Sequence, residues 1–342
     1  MKKCLLIIQQ AANAPKILIF IIFPLFVAFS ARATGEKFVL WESFEEILTP
    51  GLPTGWTVVN QNMDDKQWET IKYGGLPLRH QCARYNGNPL LPASDWMFSP
   101  SVSLDAGTDY TLSFLCKVSG ASVQKLRIFI GNSPDPSAMT TQLYDDNNIT
   151  NTTLQEITIS FSVPASGIFY FGFYCYSDPN QKQFFLDDIS VSCVSSELNL
   201  KFVLTKKLLD PSTIPAYSAT EAILGYTIIE NVSSGSLVVN TSFNVGSLES
   251  EYELSYIVIA PGGDTLQNII SAEPEPFSSS RTFEQVDPGK AKGRYEDIQK
   301  SFIFTQTGTY SIRVVYLSSR KSSSYNAWLG KLISDPVTFI IQ

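Results

Sequence analysis

The chain has 342 residues, with 25 Lys and Arg against 32 Asp and Glu, a net charge of −7 and one histidine. An acidic chain without a basic block repels phosphate backbones, so nucleic acid is not an expected partner. A single His, and no Cys-x-x-Cys spacing, also argue against a zinc centre.

Lys2, Lys3 and Lys16 precede an apolar run from Ile17 to Phe29, broken only by Pro24, and the run leads into Ala31-Arg32-Ala33. That order is a signal peptide over residues 1–33 with a mature start at Thr34; an uncleaved anchor is the alternative. The run is shorter than the roughly 20 residues of a spanning helix. No second long apolar stretch follows, so no membrane span is expected in the mature chain. Removing the segment takes away four basic residues and no acidic one, leaving the remainder more acidic still.

The remainder reads as short strands with turn punctuation. Leu112–Cys116, Leu126–Ile130, Ile157–Phe161 and Phe169–Tyr174 are rich in β-branched and aromatic residues, and Phe184–Val191 reads as a closing strand. Clusters such as Gly131–Pro136 and Asp145–Asn148 read as the breaks between them. The predicted class is all-β, with a boundary near Cys193–Glu197 that divides the chain into domains 34–196 and 197–342. In length and strand spacing the second resembles an immunoglobulin-like sandwich. Its strands are expected at Ala222–Glu230, Leu237–Phe243, Tyr252–Ala260, Lys300–Thr305, Tyr310–Tyr316 and Pro336–Ile341, with a polar loop at Ser278–Asp297. Gly308-Thr309-Tyr310 has the look of a tyrosine corner; an ordinary strand tyrosine is the other reading.

Six segments of the first domain stand in a recognisable order: Trp41–Glu46, Leu52–Thr57, Asp64–Trp68, Ser94–Pro100, Tyr110–Phe114 and Phe185–Val191. This series resembles the choice-of-anchor J or cleaved-adhesin domain, related to MAM domains and to the adhesin modules of gingipains, over roughly residues 37–194. The resemblance implies a jelly-roll β-sandwich, export from a Bacteroidetes-type bacterium, and adhesion or ligand binding without catalysis. It also implies a structural calcium, carried over here to Glu45 and Asp188, with Asp187 and Asp64 as weaker candidates. Clustered carboxylates favour such an ion because Ca²⁺ accepts six to eight oxygens, although no dense Asp-x-Asp-x-Asp loop is present. The alternative is that Asp187 caps a turn and Asp188 bonds backbone.

The remaining candidates divide between binding and packing. Trp68, Tyr73, Arg79, His80 and Tyr85 fall in a segment read as loop, where aromatic rings beside hydrogen-bonding groups could hold a glycan or an extracellular protein. The plainer reading puts Trp68 and Tyr85 in the core, as it does Trp41, Trp56 and Trp96. Cys82, Cys116, Cys175 and Cys193 could form two disulfides in three possible connectivities, or remain buried thiols. His80 and Cys82 lack the orienting group and oxyanion hole of a catalytic dyad. Asp145-Asp146 and Asp187-Asp188 are adjacent on strands and so point to opposite faces, unlike a glycosidase pair. The expected protein is an exported, non-catalytic binding protein, extracellular or on the cell surface, with the periplasm open. A secreted hydrolase or its accessory subunit, and an envelope protein without its own ligand, are the alternatives.

Overall fold

The computed structural model describes residues 35–72, 81–246, 252–269, 283–319 and 325–342. The signal segment, Tyr73, Arg79 and His80 lie outside the described residues. The first part contains β1 (Gly35–Glu42), β2 (Thr57–Asn60), β3 (Trp68–Lys72), β4 (Gln81–Asn86), β5 (Asp95–Phe98), β6 (Val102–Leu104), β7 (Tyr110–Val118), β8 (Gln124–Gly131), β9 (Thr141–Ile149), β10 (Gln155–Phe161), β11 (Gly167–Cys175) and β12 (Gln183–Ser195). Period-two alternation is plainest in β7, where Tyr110, Leu112, Phe114, Cys116 and Val118 are buried and the residues between them only partly so. Strands β10, β7, β12 and β1 form one layer, and β2, β5, β11, β8 and β9, with β6 also paired to β11, form the six-stranded other. Between the layers lies a cluster that includes Phe44, Trp56, Trp68, Tyr85, Phe114, Phe171, Phe173 and Phe184. The fold is an all-β sandwich, as the residue pattern predicts.

The second part comprises β13 (Leu198–Leu204), the short helix α1 (Thr205–Leu209), β14 (Ala216–Tyr217), β15 (Leu224–Asn231), β16 (Leu237–Asn240), β17 (Leu254–Ile259), β18 (Phe283–Val286), β19 (Ala291–Asp297), β20 (Gly308–Ser318), β21 (Gly330–Ile333) and β22 (Val337–Ile341). A separate cluster forms its core, from Phe202 on β13 and Ile229 on β15 to Val314 on β20 and Phe339 on β22. The tyrosine corner is present: the Tyr310 hydroxyl donates to the Gln306 carbonyl at 2.8 Å and accepts from the Gln306 amide at 3.3 Å.

Some expectations need correcting. Trp68–Lys72 and Gln81–Asn86 are paired strands, not loop. Asp145–Asn148 lies within β9 instead of breaking a strand. β9 pairs only with β8, so it is an edge strand and tolerates polar residues that an interior strand would not. Similarly, the polar stretch ending at Asp297 contains β18 and β19, and β19 pairs only with β15. Phe302–Thr305 is irregular, not a strand.

The two cores are joined by backbone pairing. β1 pairs along one edge with β12 and along the other with β21, at Glu36↔Lys331 and Lys37↔Gly330. The Phe38 amide also donates to the Leu329 carbonyl at 2.9 Å. Glu197 closes the joint, accepting from the Trp328 indole at 3.1 Å and pairing with the Lys37 ammonium at 2.9 Å. The joint needs small residues. A Cβ on Gly330 would come within 2.1 Å of the Glu36 carbonyl oxygen and 2.5 Å of the Trp328 ring. Gly330→Val should therefore overpack the joint and destabilise the chain by about 1–3 kcal/mol. A lower urea midpoint checks this, and an unchanged midpoint would mean that the pairing contributes little.

Candidate binding face and cation turn

The six-stranded layer buries residues on both faces, although only one faces the main core. On β5, Met97 points inward with Val58 of β2, while Trp96 and Phe98 point out. On β11, Phe171, Phe173 and Cys175 point inward, and Tyr170 and Tyr174 pack on the outer cluster. Gly172 lies between these tyrosines; a Cβ there would meet the Trp96 ring and the Met139 sulfur at 3.0 Å. The missing side chain lets Trp96 and Phe98 settle on the sheet, under Met139.

The result is a row of side chains standing against one another. Phe98 stacks on Trp96 with centroids 5.5 Å apart, Trp96 on Tyr174 at 4.5 Å, and Tyr174 on Tyr176 at 5.9 Å. The Arg127 guanidinium covers the Tyr176 ring at 4.2 Å. Burial falls along the row, from Phe98 at 0% and Trp96 at 6% exposed to half-buried Tyr174 and Tyr176. Polar groups edge it. The Trp96 indole donates to Gln61 Oε1 at 2.9 Å, and the Tyr174 hydroxyl lies 3.2 Å from Ser94 Oγ. Asp145 accepts from Arg127 Nε at 2.9 Å and from the Tyr176 hydroxyl. Partial burial opposes ionisation of Asp145, but the hydrogen bonds from Tyr176 and Arg127 outweigh it and hold its carboxyl below the usual range. Burial, then the Asp145 carboxylate, pushes the Tyr176 phenol up to about 12, so it stays a donor at neutral pH. The sequence signal for this face is Trp96, expected in the core and 6% exposed in a small apolar cluster, together with the tyrosines of β11.

The residues expected to bind ligand are placed differently. Trp68 and Tyr85 face each other across the β3–β4 pair, 1% and 0% exposed, and pack with Phe184. Their large apolar area belongs to the core, so neither can meet a ligand at the surface. The four cysteines are free thiols. Cys116 lies on β7 and Cys175 on β11, in opposite layers, and Cys82 turns away from the core that takes Ala83 and Tyr85. Burial pushes the Cys82 thiol up to about 12, with the Asp187 charge adding to it, so Cys82 is not a nucleophile at neutral pH.

The calcium candidates are not gathered into one site. Among the described residues no group of three or more His, Cys, Asp or Glu side chains comes together as a metal site. Glu45 Oε1 accepts from the Gln81 amide at 2.8 Å, and the Asp187 and Glu45 charges both reach Cys82. Asp187 Oδ1 accepts from the Asp188 amide at 2.9 Å, at a bulge where Asp188 has φ 46°. Asp64 belongs to a different place, the β2–β3 turn. Its carboxylate accepts from the Lys66 amide at 2.8 Å and the Asn88 amide group at 2.8 Å. Here the buried Asn60 Oδ1 and Asn62 Oδ1 lack partners, while the Tyr85 hydroxyl bonds the buried Asp95 carboxyl. Asp95 is 0% exposed and stands opposite Asn60 in the β2–β5 register. Asn60 also holds the carbonyls of Asp64 and Lys66 within 2.9 Å of its amide nitrogen. An oxygen-rich turn with unpartnered buried oxygens suits a hard cation; an unpartnered buried oxygen, Gln81 Oε1, also lies beside Glu45.

The class of protein is thus a two-core, all-β chain with an aromatic row on the outer face of one layer, buried at Phe98 and Trp96 and half-exposed at Tyr174 and Tyr176. No protein-family model and no curated protein matches it. Among solved structures it is similar to the K1 cleaved adhesin domain of Lys-gingipain from Porphyromonas gingivalis W83, with 17% identity and a TM-score of 0.37, covering 44% of this chain and 96% of that one. The K3 cleaved adhesin domain of the same protein gives 15% identity, a TM-score of 0.38 and coverage of 46% and 99%. The CBM22-1 xylan-binding domain of Xyn10C from Paenibacillus barcinonensis gives 16%, 0.33, 49% and 99%. The cleaved-adhesin type suggested by the sequence motifs is thus among the folds to which the chain is similar.

Burial raises the Asp95 carboxyl to about 6, from an ordinary value of 3.8. Below about pH 4 the group is protonated whether the chain is folded or not, and its contribution is intact. Between about pH 4 and 6 the folded chain keeps a proton that the unfolded chain has lost, so stability falls as pH rises. In calcium-free buffer, Asp95→Asn should remove that fall and stabilise the protein at pH 7 by on the order of 1–3 kcal/mol. Urea unfolding at pH 4 and pH 7 measures it; an identical pH slope in both proteins would refute the assignment.

Proposed function

We propose that this is an exported, non-catalytic binding protein that holds carbohydrate on the outer face of its six-stranded layer. The observation that carries the reading is the graded row from Trp96 through Tyr174 and Tyr176 to Arg127, edged by Gln61, Ser94 and Asp145. Ring edges and tyrosine hydroxyls offer a sugar both apolar contact and directed hydrogen bonds, on a rigid sheet that loses little entropy on binding. The neighbouring groups do not suit hydrolysis. Asp145 is engaged by Arg127 and Tyr176, and Asp95 is sealed in the core. Cell-surface or extracellular placement, with the periplasm as the alternative, is part of the proposal and rests on the signal-like segment 1–33. Among the described residues no helix is long and apolar enough to cross a membrane.

On a broad glycan array the protein should bind one or more oligosaccharides. Replacing Tyr174 and Tyr176 together by Ala should weaken binding at least tenfold, with little change in thermal midpoint because both side chains are half-exposed. A blank array, or binding indifferent to the double substitution, would remove the sheet face as the site. Turnover on polysaccharide and peptide panels would favour the hydrolase alternative.

We also propose that the calcium implied by the family resemblance is taken by the β2–β3 turn, through Asp64, Asn60, Asn62 and Asp95. The carboxylates would supply charge, and the amide and backbone oxygens the remaining ligands. Calcium should raise the thermal midpoint of the protein relative to chelator, and Asp64→Asn should abolish the rise. An equal midpoint with calcium and with chelator would dispose of the idea.

A further inference from the structure

We propose that the loop end of the first sandwich is a second binding site, for an acidic carbohydrate whose carboxylate or sulfate sits against Lys182. Two adjoining cavities of about 360 and 490 Å³ open there, and Gln181 lines both. Neither is lined by an Asp, Glu, His or Cys. The single charge in the lining is the Lys182 ammonium, which lies beside Gly120 and has no acidic partner among the described residues. In a chain of net charge −7, a cleft with one cation and no acid is a local exception that favours an anion.

The scaffold of the cleft is rigid while its polar lining is uncommitted. Buried Gln124 donates to the Lys182 carbonyl at 2.7 Å and accepts from Ser177 Oγ at 2.6 Å. Ser122 Oγ accepts from the Lys182 amide at 3.1 Å, and Gln181 Oε1 accepts from the Val123 amide at 2.8 Å. The Asn180 amide donates to the Asn88 carbonyl at 2.8 Å, and the Ser119 amide to the Gln183 carbonyl at 2.9 Å. These bonds fix the backbone of 177–183 against the two neighbouring loops. The side chains of Asn86, Ser119, Asn180, Lys182 and Gln183, by contrast, make no hydrogen bond to another described residue, and all line the first cavity. Amide and hydroxyl groups on a fixed backbone, left to solvent, are what a polyhydroxylated ligand can take up without displacing protein contacts. Lys182 supplies the selectivity: its ammonium gives a charge-assisted bond that a neutral sugar cannot return.

This site is separate from the sheet-face reading and does not rest on it. Tetragalacturonate, a chondroitin sulfate tetrasaccharide and neutral cellotetraose should be titrated calorimetrically into the protein, and then into its Lys182→Gln, Lys182→Arg and Tyr174→Ala/Tyr176→Ala variants. At least one acidic oligosaccharide should bind, at least tenfold more tightly than cellotetraose. Lys182→Gln should lose at least tenfold, Lys182→Arg should retain most of the affinity, and the double tyrosine variant should bind the acidic ligand as the parent does. Binding of tetragalacturonate assigns the contact to a carboxylate, whereas binding of the chondroitin sulfate alone, which carries both groups, assigns it to sulfate. Lys182 is exposed, so its variants should keep the parent's near-ultraviolet circular dichroism. Failure of both acidic ligands to bind, equal binding of cellotetraose, or equal affinity in Lys182→Gln would overturn the proposal.

Discussion

Strand β1 is the constraint on which the rest of the chain depends. Its backbone is committed on both edges, to β12 of its own sandwich and to β21 of the other. Because Glu36 and Lys37 are paired on both sides, the register of β1 on β12 also fixes where β21 must lie. The glycines on each side make this possible: a Cβ on Gly35 would strike Leu332, and one on Gly330 would strike the Glu36 carbonyl. Glu197 bridges the Trp328 indole and the Lys37 ammonium across the joint. The two cores are separate in their apolar clusters and continuous in their hydrogen bonding.

With one layer occupied by that joint, the other carries the face proposed for binding. The inner face of the six-stranded layer is ordinary core. Its outer face carries a second, smaller apolar cluster, seated where Gly172 leaves room and covered at one end by Met139. Because the cover is partial, the aromatic row runs from buried to exposed. The buried end fixes the rings; the exposed end presents hydroxyls, a guanidinium and a carboxylate already bonded to one another. A prearranged set of this kind costs little to order when a ligand arrives.

Burial also sorts the ionisable groups. The Cys82, Cys116 and Cys175 thiols are all pushed up, by burial first of all, and the Asp95 carboxyl moves the same way. Asp64, in the turn beside it, is held by amide donors from Lys66 and Asn88. The orphaned Asn60 and Asn62 oxygens leave this turn with more acceptors than donors, and Gln81 Oε1 beside Glu45 is orphaned too.

The sequence alone determined what is local. Period-two alternation in β7 and β8, the apolar closing strand and the Gly308-Thr309-Tyr310 corner were legible because each depends on residues a few positions apart. What it could not determine was which partner each strand meets. Strands β9 and β19 were taken for loop because their polar residues suit an edge, and edge position is a property of the sheet. Strand β4, also taken for loop, is paired on both sides by β3 and β12 and mostly buried. For the same reason the site residues changed places. Alternation says that Trp96 and Met97 point to opposite faces, but only the packed layers decide which face is core, so Trp68 and Tyr85 went inside and Tyr174 and Tyr176 came to the surface. The loop-end cleft was invisible for a related reason: Asn86, Ser119, Thr150 and Gln181 lie far apart in the chain and meet only where the ends of five strands converge.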